Sequence, residues 1–450
     1  MGKLRGSSAQ GANLYLTKLL GYSRRTMSEL LETALRPERS WLVGIQTDKV
    51  GKHEAESLLG ELGSLAATLG LEVVGSTPVR VRERNPALFV GTGKADEVVA
   101  SAKAALADSI LFDHVLSPVQ QRNWEELSGL SVFDRAELII RIFAGRALTK
   151  EAGLQVELAE LEYAIPRLSH SYSALSRQRG GRYGNKGKGE QKLELDRRGI
   201  ERRIHEIKEE MKTVRKSRDT QRKRREKTAV PRAAVVGYTN AGKSSLLNAL
   251  SKAAVLAEDK LFATLDPTTR RMSVGKGGTL LLTDTVGFVR NLPHGLIEAF
   301  KATLEEAATA DLLVEVADVS DPECERHLVT TASVLREIGA GEVPRVLAFN
   351  KADLVEEPSV IADFLARHPG ALAISVRTGA GLPELAVAIE AALTAGDGRV
   401  RVRVPDTDYA LVALLHREAQ VLSETREDDA TVIECLLPQK FADRFRSFQV

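Results

Sequence analysis

Apolar residues recur along this chain with three different rhythms, and each predicts a different architecture. From Trp41 to Phe133, short apolar runs alternate with longer amphipathic stretches: Trp41 to Ile45, a helix through Glu54 to Leu69, Leu71 to Val74, then Ala87 to Val90. A glycine-containing turn and a helix follow, then Ser109 to Phe112, a helix near Gln120 to Leu127, and Val132-Phe133. Strand alternating with helix predicts a small parallel α/β domain over residues 40–135. Residues 1–39 carry one short amphipathic stretch, Met27 to Leu35, and read as a leader.

The rhythm then changes. Leu154, Leu158, Leu161, Ile165, Leu168 and Leu175 fall at helical spacing, with Tyr172 filling the last gap, and the stripe resumes at Leu193, Ile200, Ile204, Ile207, Met211 and Val214. Two such stripes around a glycine-rich break predict an antiparallel helical hairpin over 136–229, each arm roughly 35 to 45 Å long at ~1.5 Å per residue.

A third pattern, apolar β-type runs each followed by a turn, begins at Ala233 and predicts an α/β domain over 230–395. The tail, 396–450, reads as a small α/β appendage: strand-like Val400 to Val404, a helix from Asp408 to Val421, strand-like Thr431 to Leu437 and a helix after Pro438. His416 reads there as a surface or half-buried helix residue.

Candidate chemistry sits on the turns of the third pattern. After Ala233-Ala234-Val235-Val236 comes Gly237-Tyr238-Thr239-Asn240-Ala241-Gly242-Lys243-Ser244, and then a helix. Strand, glycine-rich turn and helix N-terminus make a phosphate cradle, in which Lys243 reaches the β and γ phosphates and the Ser244 hydroxyl holds Mg²⁺. Asp284-Thr285-Val286-Gly287 follows a strand: the Asp can hold Mg²⁺ through water, and the Gly N–H can sense a γ-phosphate. Asn350-Lys351-Ala352-Asp353 follows another, and the Asp353 carboxylate can accept from guanine N1–H and the exocyclic amine, whereas adenine presents an acceptor at N1. The nucleotide expected is therefore GTP, with GDP as its product. Ser375-Val376-Arg377 can reach the guanine carbonyl through its backbone. Between cradle and Asp284 lies Phe262-Ala263-Thr264-Leu265-Asp266, where a threonine closes over Mg²⁺ and γ-phosphate and later lets go. Thr264 is the choice, with Thr268 and Thr269 as competitors that spacing alone does not eliminate. Lys243, Thr264 and Gly287 are thus the candidate catalytic residues, and Ser244 and Thr264 the candidate metal ligands. Gly91-Thr92-Gly93-Lys94 lacks the full phosphate-loop spacing and reads as a plain turn.

Charge changes the picture in one place. The net charge of +2 hides a segment, 177–227, with 20 Lys/Arg against 9 Asp/Glu, leaving 43 against 52 elsewhere. At the hairpin tip, Arg177 to Gly189, glycines, cations and Tyr183 coincide, a composition suited to phosphates and an unstacked base. A solvated basic coil is the plain alternative. Two cysteines, Cys324 and Cys435, lie far apart without metal-ligand spacing, which argues against a disulfide scaffold and fits a reducing compartment. No run approaches the ~18 apolar residues of a membrane span, and the N-terminus lacks a signal-peptide core, so a cytoplasmic monomer is expected.

From Trp41 onward the chain resembles the HflX family of ribosome-associated GTPases. The resemblance rests on Ser117-Pro118-Val119-Gln120-Gln121-Arg122-Asn123, Gln155-Val156-Glu157-Leu158-Ala159, Pro166-Arg167-Leu168, Ser176-Arg177-Gln178 and Asp196-Arg197-Arg198, together with the phosphate-loop, Phe262 to Thr268 and Asp284 to Phe288 stretches. It implies an α/β N-terminal domain, a coiled-coil hairpin, a Ras-like G domain and a C-terminal α/β domain. It further implies binding to the 50S ribosomal subunit, with the hairpin tip near functional rRNA, and a role in splitting or rescuing stalled ribosomes. The stretch Gly189 to Arg198 departs from the family pattern at Gln191, Lys192 and Leu195, which bears on the rRNA contacts and not on the G domain.

Two expectations about rate follow. Phe288 stands where Ras-type GTPases carry a water-orienting Gln, so hydrolysis is expected to be slow alone and faster on the ribosome. Asn240 stands where potassium-dependent GTPases carry a cation-binding Asn, which adds a K⁺ requirement. Two other classes compete: a signalling GTPase whose arm binds a protein, and an RNA-remodelling ATPase that uses the N-terminal domain.

Overall fold

The computed structural model describes residues 38–48, 50–178, 186–226, 230–251, 261–262, 264–274, 278–290, 301–395, 398–427, 429–437 and 444–450. The leader before residue 38 and the loop 179–185 at the hairpin tip lie outside them, as do the side chains of 168–193. The chain divides into two units: one holds 1–214, 258–266 and 291–302, the other 215–257, 267–290 and 303–450.

In the first unit, strands β1 (Arg39–Gln46), β2 (Glu72–Arg80), β3 (Ser109–Phe112) and β4 (Ser131–Asp134) form an all-parallel sheet in the order β2-β1-β3-β4. Alternate residues of β1 point to opposite faces. Val43 and Ile45 pack with Ile110, Phe112 and Trp124 on one face, and Leu42 packs with Leu62, Leu111 and Leu138 on the other. The first face is covered by α2 (Thr92–Ala104) and α3 (Pro118–Ser128), the second by α1 (Lys52–Thr68) and α4 (Arg135–Arg146).

Two sequence expectations fail in this sheet. Strand β2 runs on to Arg80 instead of stopping at Val74, because at the sheet edge Pro78 breaks no internal ladder. Ala87 to Val90 is no strand: Asn85 Oδ1 accepts from the Ala87 and Leu88 amides, and Asn85 and Phe89 bond backbone to backbone in a tight turn. Gly91 to Lys94, expected as a plain turn, is a helix start: Gly91 precedes α2, Thr92, Gly93 and Lys94 are its first residues, and Lys94 pairs with Glu97.

The arms are α5 (Lys150–Gln178) and α6 (Lys186–Glu226). Leu154, Leu158, Leu161 and Ile165 interlock with Ile200, Ile204, Ile207 and Met211. Their antiparallel course is fixed by the pairs Lys150–Glu210 and Glu157–Arg203. Residues 186–189, expected in a loop, already belong to α6. Arg167 fastens α5 to the domain: its guanidinium donates to Gln121 Oε1 (2.8 Å), Leu116 O (2.9 Å) and Asp134 Oδ2 (3.3 Å).

The second unit contains a six-stranded sheet in the order β10-β9-β8-β5-β7-β6, formed by β5 (Arg232–Gly237), β6 (Thr268–Val274), β7 (Gly278–Asp284), β8 (Leu312–Asp318), β9 (Arg345–Asn350) and β10 (Leu372–Ala373). All neighbours are parallel except β6 against β7. Helices α7 (Lys243–Ser251), α8 (Lys301–Ala308), α9 (Cys324–Glu337), α10 (Pro358–Arg367) and α11 (Leu382–Thr394) alternate with the strands.

The C-terminal part is an antiparallel sheet, β11-β13-β12, of β11 (Gly398–Pro405), β12 (Gln420–Arg426) and β13 (Ala430–Leu437), backed by α12 (Tyr409–Glu418). The expected helix to Val421 is thus two elements. Ala419 ends it, and Gln420 onward pairs with β13, where alternation rather than helical spacing governs. His416 lies half exposed on α12 beside Glu424, as expected. Residues 438–443, part of the expected last helix, lie outside the described residues. Both cysteines are buried and free. Among the described residues no helix is long and apolar enough to cross a membrane.

Candidate nucleotide site

In a parallel sheet, ligands meet the carboxyl ends of the strands, and β5, β7, β9 and β10 deliver their candidate residues there. Gly237 ends β5 with φ +142°, and a Cβ on it would overlap the Val316 carbonyl oxygen of β8. The turn then reaches Gly242 (φ +96°), where a Cβ would strike the Asn350 amide, and α7 begins at Lys243. Only glycine fits either place.

Lys243 is buried, and its Nζ donates to Tyr238 O at 2.7 Å. Burial lowers its pKa to about 8, opposed by the nearby Asp284 charge. A phosphate beside this Nζ would add negative charge and favour its protonated form. Thr239 Oγ1 is buried with no hydrogen-bond partner among the described residues, which leaves a hydroxyl for an anion. The Ser244 hydroxyl donates to Asp284 Oδ2 at 2.6 Å. A hydroxyl and a carboxylate in contact are the hard oxygen donors that Mg²⁺ takes when phosphates and water complete its shell, so the residues present fit that ion. Among the described residues no cluster of three His, Cys, Asp or Glu offers an all-protein metal site.

Gly287 approaches the loop closely: a Cβ on it would stand 2.8 Å from Lys243 Nζ and 2.7 Å from Thr239 Cγ2. The backbone holds it there. Phe288 N donates to Gly237 O (3.1 Å) and Phe288 O accepts from Thr239 N (2.8 Å), while Thr285 Oγ1 donates to Val235 O (2.7 Å). Val286 and Phe288 are buried, and the Phe288 ring presents no hydrogen-bonding group.

At the other end, Asn350 Nδ2 donates to Ala241 O (2.8 Å), and Asn350 Oδ1 accepts from Val376 N (3.1 Å). Lys351 Nζ pairs with Asp318 at 2.6 Å. Ala352 N donates to Ile374 O (3.1 Å), and Asp353 accepts from Ser375 Oγ (2.5 Å) and from the Arg377 guanidinium. The Ser375 hydroxyl, helped by Arg377, holds the Asp353 carboxyl below the usual carboxylate range, so it stays an acceptor.

The structure therefore gathers Gly237 through Ser244, Asp284 through Gly287, Asn350 through Asp353 and Ser375 through Arg377 in one unit. Phe262, Thr264, Leu265 and Asp266 fall in the other, and Ala263 lies outside the described residues. Thr268 and Thr269 open β6, where Thr269 Oγ1 is bonded to Thr283 Oγ1.

Sequence reasoning missed one part of the surroundings. The Tyr238 ring stacks on His327 of α9 (centroids 3.8 Å, 12° apart), and its hydroxyl accepts from Arg290 N at 2.8 Å. Arg290 in turn pairs with Glu323 (3.5 Å). Nothing in the local pattern around His327 or Glu323 signals this, because His327 lies 89 residues from Tyr238 and Glu323 33 from Arg290.

Three family models match consecutive stretches: "GTP-binding GTPase N-terminal" over residues 56–144, "GTP-binding GTPase Middle Region" over 146–225 and "50S ribosome-binding GTPase" over 232–351. Relatives match nearly end to end. "GTPase HflX" of Akkermansia muciniphila is 45% identical over 433 residues, 94% of this chain and 99% of that protein. Its counterpart in Magnetococcus marinus is 41% identical over 90% and 93%, and that of Escherichia coli 42% over 83% and 88%. Among solved structures, a GTP-binding protein of Sulfolobus solfataricus in complex with GDP matches at 23% identity and a TM-score of 0.42, over 80% of this chain and 99% of that one.

Proposed function

The chain belongs to the HflX family of GTPases, and from that premise we propose that it uses GTP binding and hydrolysis to engage the 50S ribosomal subunit and to split or rescue ribosomes. That it is a GTPase follows from the family and from the phosphate-loop domain. In the proposed site, Lys243 and the loop amides hold the phosphates, Asp353 reads the guanine edge, and Ser244 with Thr264 holds Mg²⁺, which when bound neutralises phosphate charge. Gly287 N–H faces the γ-phosphate. Phe288 can neither orient nor deprotonate a water, so the free protein hydrolyses GTP slowly and the ribosome accelerates it. Asn240 supplies a candidate K⁺ ligand. The protein acts as a monomer in the cytoplasm.

The observation that carries the ribosomal reading is where the arm's charge lies. Over 193–214 there are six Lys/Arg against six Asp/Glu, and these pair along the arm, as in Arg198–Glu194, Arg203–Glu157 and Lys208–Glu162. The excess sits at the ends: six against one over 177–192, and eight against two over 215–227. A merely solvated coil has no reason to be neutral in the middle and cationic at the tip, whereas an arm that touches RNA with its tip does. The description of the matching model, a 50S ribosome-binding GTPase, supports the same reading.

Sedimentation of the purified protein with 30S, 50S and 70S particles tests it. Co-sedimentation with 50S in a non-hydrolysable GTP analogue, weaker in GDP, is expected; absence of binding in both would end the ribosomal reading.

A further inference from the structure

The phosphate-loop pattern leaves position 238 open to any residue, yet the side chain there is buried and engaged on two sides. The Tyr238 ring lies flat on His327 of α9, and its hydroxyl accepts from the Arg290 amide at 2.8 Å. Arg290 is the third residue after Gly287, the proposed γ-phosphate sensor. The backbone on either side of Tyr238 holds the chain in between: Gly237 O accepts from Phe288 N (3.1 Å), and Thr239 N donates to Phe288 O (2.8 Å). The loop therefore fixes the sensor segment twice, at Phe288 through the neighbours of Tyr238 and at Arg290 through its hydroxyl.

Helix α9 anchors the arrangement. The Glu323 carboxylate lies 3.5 Å from the Arg290 guanidinium and 2.7 Å from that of Arg326. Arg290, Glu323 and His327 are all buried. The Glu323 amide donates to Asp321 Oδ1 at 2.8 Å, which fixes where the helix starts. Every residue in this chain of contacts lies in the same unit as the phosphate loop.

The consequence is the place given to Gly287. A Cβ on Gly287 would stand 2.8 Å from Lys243 Nζ, so the glycine backbone and the ammonium, two of the groups proposed for the γ-phosphate, lie side by side. A donor already held in position costs no ordering when its acceptor arrives. GDP has no γ-phosphate and gains nothing from that preparation. Contacts that hold Gly287 in this place therefore favour GTP over GDP, by as much as they favour this position over others.

We propose that Tyr238, Glu323 and His327 are positioning residues for the γ-phosphate sensor and set how strongly the protein prefers GTP to GDP. The proposal rests on the reading of Gly287 as that sensor and is independent of the ribosomal one.

The full-length protein without ribosomes provides the test. Affinities for a non-hydrolysable GTP analogue and for GDP are measured in Tyr238→Phe, Glu323→Gln, His327→Ala and His327→Phe, together with kcat and KM for GTP. The analogue-to-GDP affinity ratio is expected to fall about fivefold in Tyr238→Phe, the worth of one buried hydrogen bond. A fall of about threefold is expected in Glu323→Gln, where a charge-assisted contact becomes a neutral one. In His327→Ala the ratio is expected to fall about threefold, and His327→Phe to restore it by returning a flat ring to Tyr238. KM for GTP is expected to rise with each fall. A role in packing alone lowers both affinities by the same factor, so a ratio unchanged or raised in Tyr238→Phe and Glu323→Gln overturns the proposal. If one of the two does not fold, the other decides. Gly287→Ala tests the underlying reading, and its ratio is expected to collapse because a Cβ there meets Lys243 Nζ. Indifference in Gly287→Ala removes the sensor and the proposal with it; collapse there beside an unmoved ratio in the Tyr238 and Glu323 variants removes the proposal alone.

Discussion

Asn350 and Ala241 are joined by a 2.8 Å hydrogen bond from the side-chain amide to the loop carbonyl, so the proposed base-reading end of the site is fastened directly to the proposed phosphate cradle. Asn350 also accepts from Val376 N, which ties in the third loop. It therefore acts as a brace, and in the proposed site Asp353 is left to read the base. Asn350→Ala is expected to weaken GTP and GDP alike by about tenfold to a hundredfold, because one buried partner at each end goes unpaired. Asp353→Asn leaves the brace intact and replaces an acceptor by a donor, so preference is expected to pass to a purine with a carbonyl at C2. Competition of labelled GTP by xanthosine and guanosine triphosphates measures this, and retained guanine preference in Asp353→Asn would contradict the assignment of Asp353.

Arg167 supports a second expectation. Its guanidinium satisfies Gln121, Leu116 O and Asp134 at once, and it lies 3.4 Å from the Tyr163 ring centroid. Asp134 is fully buried, and burial pushes its carboxyl up while the Glu137 amide, Arg167 and the Leu116 amide pull it down. Arg167→Ala leaves that carboxylate short of its cation and is expected to cost about 3 kcal/mol. Arg167→Lys rescues little, since a point charge cannot reach three acceptors in different directions. Both tryptophans, Trp41 and Trp124, belong to this domain, so fluorescence during urea unfolding reports on it. A loss below about 0.5 kcal/mol, the ordinary size for a surface change, would refute the anchoring role.

Much of this was legible in the sequence, and the physical reasons differ by region. The phosphate loop, Asp284 to Gly287 and Asn350 to Asp353 are short contiguous motifs at strand ends, so their geometry is encoded locally. The arm was legible because Leu154 to Ile165 and Ile200 to Met211 repeat over many turns. Ala87 to Val90 misled because Asn85-Pro86 turns the chain, which apolar content does not register. Strand β12 was missed, its first two residues, Gln420 and Val421, falling into the expected helix, because most of its residues are exposed and its pattern does not show the pairing with β13. The contacts of Asp266 with Thr149 and of Tyr238 with His327 join residues more than 80 apart, and no periodicity carries that information.

Glu125 makes stability depend on pH. Burial, with the Glu137 charge adding and a hydrogen bond to the Val132 backbone subtracting, raises its pKa from 4.5 to about 7. Folding therefore takes up a proton between those values. The associated stability is present in full below about pH 4.5 and is lost as pH rises through 7. Glu125→Gln mimics the protonated form and is expected to stabilise the domain at pH 8 by about 1 kcal/mol, discounted for partial exposure of the carboxyl. No gain is expected at pH 4.5. Urea unfolding followed by tryptophan fluorescence at the two pH values decides, and an equal gain at both would refute the titration.

The arm's charge distribution gives the last expectation. Phosphate neutralisation releases counterions, so each cation in contact with RNA adds about 0.7 to 0.9 to the slope of log affinity against log salt. Lys186 and Lys188 lie in the segment with six cations against one acid, Glu190, so most of its positive charge is unmatched in sequence. Replacing both by Ala is expected to lower the slope for 50S binding by about 1.5, with GTP affinity unchanged. Arg198 is the control, since its charge is matched by Glu194 at 3.0 Å, and Arg198→Ala is expected to leave the slope within error. Sedimentation across a salt series distinguishes tip from shaft: equal slopes for the double variant and the unaltered protein would mean that Lys186 and Lys188 meet no phosphate, and the RNA contact would have to lie elsewhere on the chain.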